Sequence, residues 1–223
     1  MKPEVKRYTA EVGGRSVIFE TGKLAHQAGG AVTVQLDDAM VFAATTMSSN
    51  ARDVNFLPMS VNYEERMYAG GRIPGSFFRR EGRPHTDAIL TSRLVDRPLR
   101  PLFPEGMRND IQVLIYSLSA DDNPLDILAI NSASAALSIS NIPWNGPVGA
   151  VRIGHIDGEF VINPTYAQLD ESDLDLRLAG TKEAILMVEC GANEVPEDVM
   201  VKALELGHQS IQPIIEAITT MVA

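Results

Sequence analysis

Asn123-Pro124-Leu125-Asp126-Ile127-Leu128-Ala129-Ile130-Asn131-Ser132-Ala133-Ser134-Ala135-Ala136-Leu137-Ser138-Ile139-Ser140 is the stretch on which the fold turns. It opens as a helix start should, with Asn123 as the cap, Pro124 in the first turn and Asp126 three residues after the cap. From Pro124 to about Ser140 nearly every side chain is apolar or small on all sides. Such a helix offers no face to water, so it is expected to lie buried in the middle of a domain. Ser132 and Ser134 are then expected to bond back to helix carbonyls rather than to act as nucleophiles.

Before this helix the chain reads mostly as strands. Residues 7–12 and 17–21 alternate around Gly13-Gly14, and residues 31–36 and 40–46 flank Asp37-Asp38, two hairpin signals. A loop-rich stretch follows. Residues 86–96 then read as a helix capped by Thr86, with Asp87 at the positive end and Leu90/Leu94 as an apolar pair. Pro98 is expected to end it, and residues 111–117 form a strand. After the central helix come strands at 148–156 and 159–162, joined at Asp157-Gly158, and further strands at 174–179 and 185–188. Residues 196–221 read as a final helix, with Glu197/Asp198 in its first turn and a break near Pro213. The sum is α+β in one domain, residues 1–223: β-sheets packed with a buried central helix and a C-terminal helix.

Bulk properties exclude several classes. A chain of 223 residues that is 45% apolar can bury one good core or two small ones. No apolar run approaches the roughly 18 residues of a membrane span, and the first seven residues lack the apolar stretch of a signal peptide. Cys190 is the one cysteine, so no internal disulfide is available. No CxxC pair or histidine cluster offers a zinc site. We expect Cys190 to be a buried or inert thiol in a reducing cytoplasm. His85, His155 and His208 have no acid or cysteine partner at a motif spacing, and His26 falls in a turn. A net charge of −10 argues against non-specific binding of nucleic acid by the whole surface.

One segment breaks with that composition. Residues 66–108 hold nine arginines (66, 72, 79, 80, 83, 93, 97, 100 and 108), no lysine and four acids, a net +5 that leaves −15 for the rest. Guanidinium is always charged and its planar fork matches phosphate bidentately, so an arginine island points to a polyanion. Inside it, Phe77-Phe78-Arg79-Arg80 places two rings and two cations in one Gly- and Pro-bounded loop. That pairing suits single-stranded nucleic acid, whose bases stack on rings while arginines follow the backbone.

Gly71-Arg72-Ile73-Pro74-Gly75-Ser76-Phe77-Phe78-Arg79-Arg80-Glu81-Gly82-Arg83-Pro84, followed by Ser92-Arg93-Leu94-Val95-Asp96-Arg97-Pro98-Leu99-Arg100-Pro101-Leu102-Phe103, closely resembles polynucleotide phosphorylase. Glu20-Thr21-Gly22, Val61-Asn62-Tyr63 and Gly146-Pro147-Val148-Gly149-Ala150 support the resemblance, which spans essentially the whole chain. It points to the first of that family's two ribonuclease PH-type core domains, with mixed β-sheets. It implies a full enzyme that is a homotrimeric, Mg²⁺-dependent 3′→5′ phosphorolytic exoribonuclease releasing nucleoside diphosphates. By that resemblance this chain is a fragment or isolated domain of a longer polypeptide, partnered by a second core domain and by single-stranded RNA.

The resemblance also assigns sites. Phe77 and Phe78 would stack on RNA at the trimer's central aperture; from the residues themselves, the density of Arg79, Arg80 and Arg83 beside the rings favours phosphate contact over solvated loop charges. Arg93, Arg97 and Arg100 are further phosphate candidates, with ion pairs to Asp87, Asp96 or Glu105 as the alternative. Arg66, Arg72 and Arg108 read as structural. The family's active core has a Ser/Thr-rich turn at the start of the central helix for phosphate; here Pro124 has no N–H, Leu125 no hydroxyl, and Asp126 repels anions. Its metal site has two aspartates six residues apart and a lysine two residues on; the matching positions here are Leu169, Asp175 and Arg177. Asp173 and Asp175 would share a strand face as a weak remnant. The expectation is therefore no catalytic residue and no bound Mg²⁺ or phosphate in this half. Two rivals remain: a self-sufficient phosphorolytic nuclease using Asp173/Asp175, and a non-enzymatic protein-docking domain.

Overall fold

A computed structural model describes residues 4–75 and 77–223. Residues 1–3, part of the segment read for a signal peptide, and Ser76 of the loop motif lie outside the described residues. Two antiparallel hairpins open the fold. Strands β1 (Lys6–Val12) and β2 (Arg15–Thr21) turn at Gly13 and Gly14, whose φ values of 59° and 76° need glycine's freedom. Strands β3 (Gly30–Leu36) and β4 (Ala39–Ala51) turn at Asp37-Asp38, with Asp37 also left-handed.

Strand β5 (Met59–Glu64) and β6 (Asn109–Ser119) complete a six-stranded sheet in the order β1-β2-β3-β4-β6-β5. The β5–β6 pairing is the sheet's one parallel pairing, which makes it mixed. Residues 59–64 belong to the stretch read as loop-rich, and the difference has a local cause. Met59 pairs with Ile111, far along the chain, so nothing nearby announces the strand.

Helix α1 (Thr86–Leu99) links the two halves of this sheet edge. It departs from expectation at both ends. His85, in extended geometry after Pro84, is the residue before the first turn and makes no side-chain cap, so Thr86 is already helical. Pro98 does not stop the helix; it is buried in the last turn, where one N–H is lost and the Arg100 N–H still bonds Asp96. A 3₁₀ turn, Arg100–Leu102, carries the chain on.

Helix α2 (Leu125–Ser138) is the central element, with Leu125 to Leu137 buried apart from half-buried Asp126. One side lies on β3 and β4, the other on a second, all-antiparallel sheet ordered β10-β9-β7-β8. That sheet comprises β7 (Gly149–Ile156), β8 (Glu159–Ile162), β9 (Leu174–Gly180) and β10 (Ile185–Ala192). The polar residues of α2 serve as ties. Asn131 exchanges two hydrogen bonds with the Ala150 backbone at 2.8 and 3.0 Å, and Thr45 of β4 donates to the Ala136 carbonyl at 3.3 Å. Ser132 bonds back to Ala129 as expected. Ser134 instead accepts from the Val148 N–H at 2.9 Å, binding the helix to the next strand. Asn123 is not the cap: its amide is spent on Asp121 and its carbonyl on Arg15, and Pro124 precedes the first turn.

A short helix, α3 (Tyr166–Asp170), carries a capping box from Thr165 and Gln168 that the sequence reading passed over. The C-terminal helix divides into α4 (Glu197–Ser210) and α5 (Gln212–Val222), with the break at Ile211, next to the expected position at Pro213. The architecture is α+β, as expected. No helix among the described residues is long and apolar enough to cross a membrane.

Candidate nucleic-acid interface

The arginine–aromatic segment leaves the body of the protein as an irregular loop between the 3₁₀ turn Met67–Gly70 and α1. Gly71, left-handed at φ 67°, closes that turn with its N–H on the Tyr68 carbonyl. Pro74, Gly75, Gly82 and Pro84 keep the segment out of regular structure. Phe77 is 95% and Phe78 76% exposed. The two rings meet edge to face with centroids 5.4 Å apart. Two large rings standing in water side by side are costly for a monomer to leave uncovered, and they offer faces on which planar groups can stack.

The arginines divide by their partners. Arg79, Arg80, Arg83 and Arg93 are exposed, and none makes an ion pair among the described residues. Arg79 holds a left-handed backbone at φ 49°. Arg80 and Arg83 line a cavity of about 270 Å³ between the loop and the sheet edge, with Arg66, Glu81 and Glu65. Arg97, by contrast, bonds Glu189 of β10 at 2.8 Å, an acid outside the set expected from sequence. Arg100 takes its ion-pair alternative: it bonds both oxygens of Asp96 at 2.6 and 2.8 Å and the carbonyls of Leu57 and Met59. With its donors so committed, Arg100 takes the ion-pair alternative to phosphate contact among the described residues. Arg66 and Arg108 are structural as expected. Arg108 donates to the Val54 and Met107 carbonyls. Arg66 pairs with Glu64 and Glu81 and sits 5.0 Å over the Tyr116 ring. The hydrogen bond from Arg66, with one from the Met67 N–H, holds the Glu81 carboxyl below the usual glutamate range.

A second cavity, about 350 Å³, opens at the start of α2. Glu65 lines both cavities, so they adjoin. Here the fold does bring Asp126, at the start of α2, to Asp175 and Arg177, neighbours on β9 that lie far from it in sequence. It adds Arg152, which the sequence reading missed. Arg152 is 8% exposed; it grips both oxygens of Asp175 at 2.6 and 2.8 Å and reaches Asp126 at 3.3 Å. Arg177 bonds Asp126 at 2.7 Å and Asp175 at 3.3 Å. The signal for Arg152 was present: a lone arginine in an otherwise apolar strand run must find an acid when buried.

This arrangement does not fit a phosphate or a divalent cation. Asp126 stands at the helix start where an anion would sit, and its Oδ1 accepts the Ile127 N–H. The carboxylates that could hold a cation are already neutralised by two guanidiniums. Leu169, on α3, offers no side-chain oxygen. Asp173 is exposed and precedes β9 rather than sharing the strand with Asp175. No group of metal-ligating side chains occurs among the described residues.

Cys190 is exposed on β10, not buried. Local desolvation, with Asp175 adding, pushes its thiol pKa up, which keeps the protonated, unreactive form.

Comparison with known proteins bears on the fold and the family. The family described as 3′ exoribonuclease family, domain 1, matches residues 13–143, and domain 2 of the same family matches residues 146–210. A polyribonucleotide nucleotidyltransferase of Thermus thermophilus is 54% identical over 215 residues, 96% of this chain and 30% of that protein. One from Exiguobacterium is 53% identical over 209 residues, 93% of this chain and 28% of that protein. This chain thus spans about 30% of the length of such relatives. Among solved structures, rice Rrp46 superposes with a TM-score of 0.73 over 100% of this chain and 96% of its own at 16% identity, a likeness of fold.

Proposed function

This chain belongs to the 3′ exoribonuclease family of ribonuclease PH type, and on that premise we propose that it is the first core domain of a polyribonucleotide nucleotidyltransferase. Within such an enzyme it forms part of a homotrimer in the cytoplasm and grips single-stranded RNA. Cleavage by phosphate, with Mg²⁺, belongs to a second core domain of the longer polypeptide. The whole of residues 1–223 acts as one unit in this reading.

The observation that carries it is the loop: Phe77 almost fully and Phe78 largely exposed, beside Arg79, Arg80 and Arg83 with no acid paired to them among the described residues. Stacking of bases on the rings and phosphate contact by the arginines need no sequence-specific hydrogen bond, as a processive degrader of RNA requires. Arg93, exposed on α1, extends the basic path, while Arg97 contributes only if it gives up Glu189. The inactivity of this half is supported by the Asp126–Arg152–Asp175–Arg177 cluster, in which anion and cation positions are filled by the protein's own side chains.

Binding of poly(A) tests the reading. Phe77→Ala/Phe78→Ala is expected to weaken it by about fivefold or more, since one stacked base is worth roughly 1–3 kcal/mol. Three arginine–phosphate contacts predict a log–log salt slope of about −2. Unchanged affinity in the double variant would sink the RNA grip, and binding indifferent to salt would point to a protein partner instead. Incubation of the 223-residue chain with poly(A), phosphate and Mg²⁺ is expected to release no ADP; release would establish a self-sufficient nuclease.

A further inference from the structure

The described residues between Ile73 and Pro84 have few ties to the rest of the protein. Among the described residues, the backbone hydrogen bonds at its two ends are Arg72 N–H to the Met67 carbonyl and Ile89 N–H to the His85 carbonyl. Among the described residues of the span, the one side chain hydrogen-bonded to the body is Glu81: its Oε2 accepts from Arg66 at 2.7 Å and its Oε1 from the Met67 N–H at 2.6 Å. Arg66 is itself fastened to the sheet edge. It pairs with Glu64 of β5 at 2.5 Å, its backbone N–H donates to Ser117 of β6 at 3.0 Å, and its guanidinium lies over the Tyr116 ring. A mechanical path therefore runs from the parallel β5–β6 edge through Arg66 to Glu81, and Glu81 follows directly on Arg79 and Arg80.

We propose that Glu81 is the positioning residue of the RNA loop: clamped by Arg66, it fixes where Phe77, Phe78, Arg79 and Arg80 stand and so sets the loop's grip on a single strand. The acid in the midst of the arginine island is there for this purpose. An untethered 12-residue irregular segment samples many conformations, and the cost of ordering it falls on every binding event. A tether within it, just after the rings and Arg79-Arg80, removes part of that cost before RNA arrives. The carboxylate also turns Arg66 inward, away from phosphate, so that the cations left free are those beside the rings.

The inference rests on the RNA-gripping reading, and the experiment separates the two. Limited trypsin digestion of the native 223-residue chain reports loop order through cleavage after Arg79 and Arg80, without RNA. Poly(A) affinity reports the grip, and the melting temperature reports the core. For Glu81→Gln we expect cleavage to quicken by about fivefold, the upper end for an exposed ion pair. Poly(A) affinity should fall by a similar factor, with the melting temperature unchanged. Because the two residues act as one contact, adding Glu81→Gln to Arg66→Gln should produce no further quickening. Unchanged cleavage in Glu81→Gln, or additive effects in the double variant, overturns the tether whatever RNA does. Faster cleavage with undiminished poly(A) affinity, where Phe77→Ala/Phe78→Ala does weaken binding, overturns the positioning role. If the phenylalanine variant itself binds as well as the parent, the RNA reading fails and the digestion alone still decides the tether.

Discussion

At the scale of single residues, the arginines carry the lesson. Nine of them share one segment, yet their roles are set by whether an acid lies within reach. Arg100 and Arg66 are paired with carboxylates and held in place; Arg79, Arg80 and Arg83 form no ion pair among the described residues and remain available. Spacing alone had grouped Arg93, Arg97 and Arg100 together, because Glu189, which takes Arg97, lies 92 positions away and invisible to any local pattern. Asp126 illustrates the same point in reverse. Its charge was legible as hostile to phosphate, but its partners Arg152 and Arg177 come from two strands of another sheet. Asp126→Asn should therefore destabilise the fold by about 2 kcal/mol in urea denaturation. That is less than the roughly 3–5 kcal/mol of an isolated buried pair, because Asp175 keeps hold of Arg152. A variant as stable as the parent would mean that the cluster is not a structural device.

Among the elements, α2 was the easiest to read and β5 the hardest, and both follow from how information is spread along a chain. An all-round apolar helix declares its burial in a single window of sequence. A short edge strand that pairs, among the described residues, with β6 alone declares nothing until the sheet is assembled. Pro98 shows the limit of a breaker rule: one missing N–H in the last turn of α1 is outweighed when the ring is buried. The fit of α2 against β3 leaves no room at Gly30, where a Cβ would stand 2.1 Å from the Ala136 carbonyl oxygen. Gly30→Ala is expected to cost about 3 kcal/mol, the upper end for overpacking, since the atom in the way is backbone and cannot rotate aside. Equilibrium urea unfolding would measure it, and a cost near zero would show that helix and strand can part without penalty.

For the whole molecule, one hydrophobic cluster reaches from Val17 and Phe19 on the six-stranded sheet, through Leu128 and Ile130 of α2, to Ile153 and Leu176 on the four-stranded sheet. The family descriptions divide the chain near residues 143 and 146, but the cluster crosses that point. Unfolding is therefore expected to be a single transition. Far-UV circular dichroism, which follows all elements, should coincide with the fluorescence of Trp144, whose N–H bonds the Leu99 carbonyl and whose ring packs near Phe103. Two separated midpoints would divide residues 1–223 into independently folding parts.

Local chemistry is written in order along the chain, so the α+β class, both hairpins, the buried helix and the exposed arginine–phenylalanine loop could be read from sequence alone. Each depends on neighbours within a turn or a hairpin. The long loop motif, being unbroken, carried the family resemblance as well. What the tertiary structure decided is pairing: which arginines are neutralised, that Asp126 and Asp175 are locked by Arg152 and Arg177, and that Glu81 ties the loop to the sheet edge. Charges find partners through space at a few ångströms, and only the assembled fold sets those distances.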